Sequence, residues 1–258
     1  MISQDLFIKL GGINCIMMDS HCHIDDKQFD KDRDAVIDSA KKAGVGLIID
    51  PATSFASNSR IQAICEKHKN YILPCAGLDP ISCLKEEKIG ELGAYLEKCV
   101  AVGEIGLDYY WSKEKERQLL NFARLLDLAK DYEKPVIVHA REAMDDTLDM
   151  LEKKRVERAV LHCFSGDRGQ AKRAMDLGYY LSFATNICYR GSKSLIKDIS
   201  LSSMIVETDS PYLHPSRAGR NEPKNVKFAL DYIANLYEMP VEELEKIADK
   251  NTEKAFGL

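Results

Sequence analysis

The chain has 258 residues, 45% hydrophobic and 30% charged, a balance that excludes wholesale disorder and leaves enough apolar material for a sizeable core. A formal net charge of −5 excludes blanket charge neutralisation of a long duplex, which is the work of basic proteins; any nucleic-acid contact should be local. The eight cysteines include no C-x-x-C pair and mostly sit in apolar runs, so they read as buried thiols in a reducing compartment rather than a disulfide scaffold.

Residues 1–12, MISQDLFIKLGG, break their only apolar stretch with Asp5 and Lys9 and offer no small-residue cleavage site. They read as an N-terminal extension. No window approaches the ~18 apolar residues of a membrane span, so a cytoplasmic protein is expected.

Beyond the extension, short β-like runs alternate with helix-period segments. Ile13–Asp19 is the first run and Asp32–Ala43 the first helix. The second run, Val45–Asp50, is followed by a helix over Asn58–Lys69 and the third run, Ile72–Leu78. Two short helical pieces, Glu86–Gly90 and Gly93–Lys98, precede the fourth run, Val100–Ile105. Lys113–Glu133 predicts a long amphipathic helix burying Leu119, Leu120, Phe122, Ala123, Leu126 and Ala129. Pro135 stops it and opens the fifth run, Pro135–His139. Then come a helix over Ala143–Lys153, the sixth run Arg158–Cys163, a helix over Gln170–Leu177 and the seventh run Tyr179–Phe183. A helix over Ser192–Ile199 leads to the eighth run, Met204–Asp209, and helices over Lys224–Tyr237 and Val241–Ala255 complete the chain.

Eight strands alternating with helices predict the α/β class: a single (β/α)8 TIM barrel over residues 1–258 with two extra C-terminal helices. An open doubly wound sheet would show fewer strands and often a Gly-rich phosphate loop. Neither G-x-G-x-x-G nor G-x-x-x-x-G-K-[ST] is present.

Polar residues collect at the C-terminal ends of the runs, which a barrel brings to one mouth. They are His21 and His23, Glu104, His139, His162, and Asp209 with Glu207 two residues earlier; four of the chain's six histidines are among them. His21 and His23, at i and i+2, can reach one ion together. Imidazole and carboxylate donors suit Zn2+, Mn2+ and Mg2+, and six candidate ligands exceed the three of a mononuclear catalytic zinc. Two divalent ions bridged by Glu104 are therefore expected, with Asp209 both ligand and proton acceptor, so that Glu104 and Asp209 are the catalytic candidates. Glu207, one layer deeper, is expected to support the ligands.

These residues lie in longer strings: DSHCHID at Asp19–Asp25, VGEIGLDYY at Val102–Tyr110, PVIVHAREA at Pro135–Ala143, LHCFSGD at Leu161–Asp167 and ETDSPYL…RNEP across Glu207–Pro223. In that order they resemble the TatD family of metal-dependent deoxyribonucleases, within the amidohydrolase-type barrels, over nearly the whole chain. The resemblance implies a two-metal site built from His21, His23, Glu104, His139, His162 and Asp209. It also implies phosphodiesterase action on DNA, often as a 3′ exonuclease on single strands with Mg2+. The stretch before Ile13 is longer than the family pattern, the loop from Leu213 to Arg220 is short, and His214 stands where no ligand is expected.

Arg141, two residues after His139, and Arg220 are candidate phosphate contacts, and Tyr109, Tyr110 and Trp111 are candidates to stack bases or, alternatively, to cap the barrel rim as packing. The function expected is 3′–5′ exonucleolytic DNA hydrolysis by a two-metal-activated water, by a monomer. The same site could instead serve a small amide, lactone or phosphoester. A metal-holding scaffold without turnover fits less well, because structural zinc favours closed, Cys-rich sites.

Overall fold

Aliphatic and β-branched runs bounded by Gly, Pro or charged residues become the strands, and the longer amphipathic stretches between them become the helices. The structure is a computed structural model and describes residues 16–85, 88–190 and 193–258. The strands are β1 Met18–Asp19, β2 Leu47–Pro51, β3 Ile72–Ala76, β4 Ala101–Asp108, β5 Val136–Arg141, β6 Ala159–Leu161, β7 Tyr180–Ala184 and β8 Met204–Glu207. The helices are α1 Arg33–Lys42, α2 Phe55–Lys67, α3 Pro80–Cys83, α4 Gly93–Leu96, α5 Lys115–Asp131, α6 Met144–Lys154, α7 Arg168–Asp176, α8 Ile187–Arg190, α9 Lys193–Lys197, α10 Val226–Tyr237 and α11 Val241–Phe256. Among the described residues none is long and apolar enough to cross a membrane.

The strands pair in parallel in the order β1 to β8, as Ile48 with Ile72 and Leu181 with Met204 illustrate. The sheet closes just past its formal ends: the Ser20 amide donates to the Val206 carbonyl at 3.2 Å, the Asp209 amide to His21 at 2.9 Å, and the His23 amide to Ser210 at 2.8 Å. This is the expected TIM barrel.

Alternation along the strands sorts side chains between two cores. Ile49, Cys75, Ala101, Ile137, Val160 and Ile205 fill the barrel, and Ala255 and Phe256 pack against them. The end of α11 thus plugs the barrel opposite the mouth. Asp249 of α11 accepts from the Ile16 and Met18 amides, and Asn251 donates to the Leu201 and Met204 carbonyls, which ties the plug to β1 and β8. The outer core joins Ile48, Ile72, Val102, Ile105 and Val138 to the helices.

Several expected boundaries move. The extension, residues 13–15 of the first predicted strand, residues 86–87 of a predicted helix and Ser192 lie outside the described residues. The short helices resolve into a 3-10 turn at Ile89–Leu92 and α4. In α5 the buried side is rotated from the expected one: Leu120 is 61% exposed, and Gln118, Asn121 and Leu125 face inward. Polar docking explains the rotation. Gln118 exchanges hydrogen bonds with the Asp108 backbone at 2.7 and 2.8 Å, and Asn121 donates to the Cys83 carbonyl at 2.9 Å.

β4 runs three residues beyond the predicted Ile105, through a register shift between Val102 and Ile105. Val102 and Ile105 both pack outward although three residues apart. The extra residue reverses the parity, so Glu104, outward-facing in a regular strand, turns to the mouth. The following Gly106 has φ +146°, and a Cβ there would lie 2.0 Å from the His139 carbonyl oxygen. Gly106→Ala should therefore cost roughly 3 kcal/mol by combining a disfavoured backbone region with overpacking. Denaturant unfolding tests this: a midpoint equal to that of the parent protein would refute it.

Candidate metal centre

Six side chains from five strands or their ends meet at the mouth. His21 and His23 follow β1, Glu104 sits within β4, His139 within β5, His162 directly after β6, and Asp209 two residues past β8. Asp209 has φ +55°, a left-handed turn that its amide bond to His21 holds in place and that aims its carboxylate back at the β1 histidines.

The distances divide the donors into two groups. The His21 and His23 Nε2 atoms are 3.1 Å apart and each lies 3.5 Å from Glu104 Oε2. Asp209 Oδ1 is 3.8 Å from the first and 3.5 Å from the second. On the other side, Glu104 Oε1 lies 2.7 Å from His139 Nδ1 and 3.1 Å from His162 Nε2, with those nitrogens 3.0 Å apart. Each oxygen of one carboxylate thus has its nearest imidazoles on its own side, while His21 also stacks on His162 with ring centres 4.1 Å apart and can join Glu104 and His162 in one ligand set. Tetrahedral donors at about 2.1 Å from a cation are ~3.4 Å apart, the spacing of the first group, whereas the second is drawn in to hydrogen-bond distance and would open slightly round an ion.

Electrostatics agree with that fit. Burial opposes charge on every group, yet Glu104 stays well below the usual carboxylate range because His162, His139 and His21 surround it. His23 overcomes burial through the Asp209 hydrogen bond and the charges of Glu104 and Asp209, and rises to about 10. His162 rises well above its ordinary value and His139 also rises, whereas burial and the charge of His162 lower His21. Protons on these imidazoles stand in for cations. His23, raised to about 10, keeps its proton at neutral pH, so a cation at that ring must displace it, and affinity must climb with pH. Mn2+ titrations at about pH 6 and pH 8 should show markedly tighter binding at the higher value; equal affinities would contradict this.

The supporting groups are ordered. Glu207 is fully buried; it accepts from the Cys163 amide at 2.8 Å and the Ser182 hydroxyl at 2.5 Å, and lies 3.4 Å from His162 Nδ1 without hydrogen-bond geometry. Asp108 Oδ2 is 3.1 Å from His139 Nε2. A proton on that nitrogen leaves Nδ1 free to face the centre. Asp108 escaped the sequence reading because the apolar run ends at Ile105. The signal was its i+4 spacing from Glu104 on an extended strand.

The outlying candidates divide. Arg141 is exposed at the mouth, its guanidinium 4.0 Å from the Tyr110 ring centre and 5.6 Å from that of Trp111. Of the three candidate stacking rings Tyr109 is only 4% exposed, its hydroxyl donating to Asp146 at 2.7 Å. Its neighbours Tyr110 and Trp111 are the exposed rings. Arg220 is committed elsewhere: it forks onto Asp32 at 2.8 and 2.7 Å and donates to the Gln28 carbonyl. His214 pairs with Ser216 at 2.9 Å, and His68 with Asp34 at 3.1 Å.

Comparison with known proteins identifies the family. The sequence model of the family described as TatD related DNase matches residues 18–257. Human "Deoxyribonuclease TATDN3" is 33% identical over 93% of this chain and 94% of its own length. The Bacillus subtilis "Uncharacterized metal-dependent hydrolase YabD" is 34% identical over 94% of this chain and all of its own. The crystal structure of YJJV, a TatD homologue from Escherichia coli, superimposes with a TM-score of 0.89 at 32% identity, covering 95% of this chain and 100% of that one.

Proposed function

The chain belongs to the TatD family of metal-dependent deoxyribonucleases, and on that premise we propose that it hydrolyses single-stranded DNA as a 3′–5′ exonuclease using two divalent cations, Mg2+, Mn2+ or Zn2+. The observation that carries this reading is the division of Glu104, one oxygen toward His21, His23 and Asp209 and the other toward His139 and His162.

The first group would hold one cation and the second the other. When bound, such a pair lowers the pKa of a water and offsets the charge of a phosphodiester. The chain's own residues do the rest. Asp209, held as the anion despite its burial by its bond to His23 and by the charges of His162, His21 and His23, is placed to accept a proton. Asp108 orients the His139 ring through its contact with Nε2, and the buried Glu207 carboxylate places a charge beside His162 Nδ1. Arg141 offers a planar fork to a phosphate, and Tyr110 and Trp111 offer faces to unpaired bases.

End-labelled oligonucleotides test the reading. With Mn2+ or Mg2+, a 5′-labelled single strand should shorten stepwise while a 3′-labelled one releases mononucleotide at once. Excess chelator should stop both without unfolding the barrel. Strands left intact with every ion would refute DNA hydrolysis, and internal cuts appearing first would refute the exonuclease assignment.

Trp111→Ala should raise KM for oligonucleotides about tenfold, since a base stacked on an aromatic is worth about 1–3 kcal/mol. It should spare a small chromogenic phosphodiester. Equal effects on both substrates would remove the ring from substrate binding.

The alternative reading keeps the metal centre and changes the substrate to a small amide, lactone or phosphoester, which the same metal-activated water would serve. An enzyme of that kind would turn over small esters and ignore oligonucleotides.

A further inference from the structure

Arginines without an ion pair stand on two rims of the mouth. Elsewhere on this acidic chain several exposed cations have carboxylate partners: Arg168 meets Asp198, Arg173 meets both Asp149 and Glu152, and Arg220 forks onto Asp32. Among the described residues Arg141 and Arg217 have none. Arg141 ends β5 and lies over Tyr110, just past β4. Arg217 follows β8 and repeats the arrangement. Its guanidinium is 4.4 Å from the ring centre of Tyr189, which lies in α8 after β7, and it donates to the Tyr189 carbonyl at 3.3 Å. In a closed barrel of eight strands in sequence order β4 stands opposite β8, so the metal centre lies between the two pairs.

The second rim has a firm base. The loop after β8 closes where the Asn221 amide donates to the Pro211 carbonyl at 2.9 Å. The Asn221 side chain donates to the Thr208 carbonyl and the Thr185 hydroxyl, both at 2.9 Å, and Thr185 donates to the Leu213 carbonyl at 2.7 Å. Thr185 and Asn221 are fully buried. Asn186, which precedes α8, donates to Cys163 Sγ at 3.6 Å, one residue past His162. Loop and helix are thus fastened to the strand ends that carry Asp209 and His162, while the Arg217 side chain is exposed. Stacking on Tyr189 restrains the guanidinium and leaves its remaining N–H groups open to an acceptor, so less freedom is lost when one binds.

We propose that Arg217, positioned by Tyr189, binds a backbone phosphate of a single DNA strand, away from the linkage being cut. This rests on the reading of the chain as a DNA hydrolase and extends it: the strand crosses the mouth from Arg141, Tyr110 and Trp111 to Arg217. An open planar fork suits a phosphate, and a flexible single strand bends from one rim to the other where a stiff duplex does not.

Steady-state kinetics with Mn2+ on thymidine strands test this. Arg217→Gln should raise KM about fivefold for a strand of about twelve nucleotides, the most that an exposed ion pair is worth, and leave kcat unchanged. The KM of a dinucleotide, which ends short of Arg217, should not move. One phosphate contact fewer should flatten the dependence of log KM on log salt by about 0.7, whereas Arg217→Lys, which keeps the charge, should keep the wild-type slope. Tyr189→Ala should raise the long-strand KM and Tyr189→Phe should restore it; an unchanged KM in Tyr189→Ala would remove the ring from the subsite. Long-strand KM and salt slope equal to wild type in Arg217→Gln, or equal losses on both lengths, would overturn the proposal and leave DNA hydrolysis standing. Wild-type protein that cuts no strand at all would sink the DNA reading, and the subsite with it.

Discussion

Glu104→Gln is expected to remove most of the bound metal and to lower kcat/KM by about 10³-fold or more. The side chain keeps its length and one carbonyl oxygen, but the charge that the two proposed cations would share disappears. In the native arrangement Oε2 lies 3.5 Å from both β1 histidines, and Oε1 lies 2.7 and 3.1 Å from His139 and His162. An amide offers only one acceptor and turns a donor toward the other imidazoles, which blocks one group outright. Metal ions supply several kcal/mol of transition-state charge stabilisation, and each 1.36 kcal/mol is a decade in rate. Metal analysis combined with steady-state kinetics checks this. A variant with full metal content and normal turnover would show that Glu104 bridges nothing.

Asp209→Asn separates ligand from base. The asparagine retains a carbonyl oxygen near the His21 and His23 Nε2 atoms, 3.8 and 3.5 Å away in the native chain, so metal content should fall little. It cannot take a proton. Loss of general-base assistance costs about 10²–10⁴-fold, and this should appear in kcat with KM nearly unchanged. The left-handed turn at Asp209 tolerates asparagine well, so the loss cannot be ascribed to backbone strain. A variant that matches wild-type kcat would remove Asp209 from proton transfer. One that loses its metal as completely as Glu104→Gln would make it a ligand first.

The barrel and its mouth were legible because both depend on periodicity. Strand runs repeat along the chain, and parallel strands bring their C-terminal ends together whatever the helices do. His21, His23, His139, His162 and Asp209 could be collected on that basis alone. Glu104 was collected for an incomplete reason: it lies inside β4 rather than at its end, and it reaches the mouth through a bulge between Val102 and Ile105 that no hydrophobic pattern announces. The same longer strand hid Asp108.

Directions beyond the strand ends were not legible. Tyr109 and Tyr110 are adjacent, yet one is buried against Asp146 and the other opens to solvent beside Arg141. Arg220 carries the charge of a phosphate ligand but meets Asp32, 188 residues away in sequence. Asp50 reads as the polar end of an ordinary run. Only the structure reveals that it is sealed among helices with neither oxygen paired. Such features arise from tertiary packing rather than from spacing.

The most direct test of the two-cation centre is anomalous diffraction at the manganese edge from crystals grown with Mn2+. Two peaks should flank the Glu104 carboxylate, one ringed by His21, His23 and Asp209 and the other by His139 and His162. A single peak there, or a Glu104 carboxylate with no metal on either oxygen, would contradict the account.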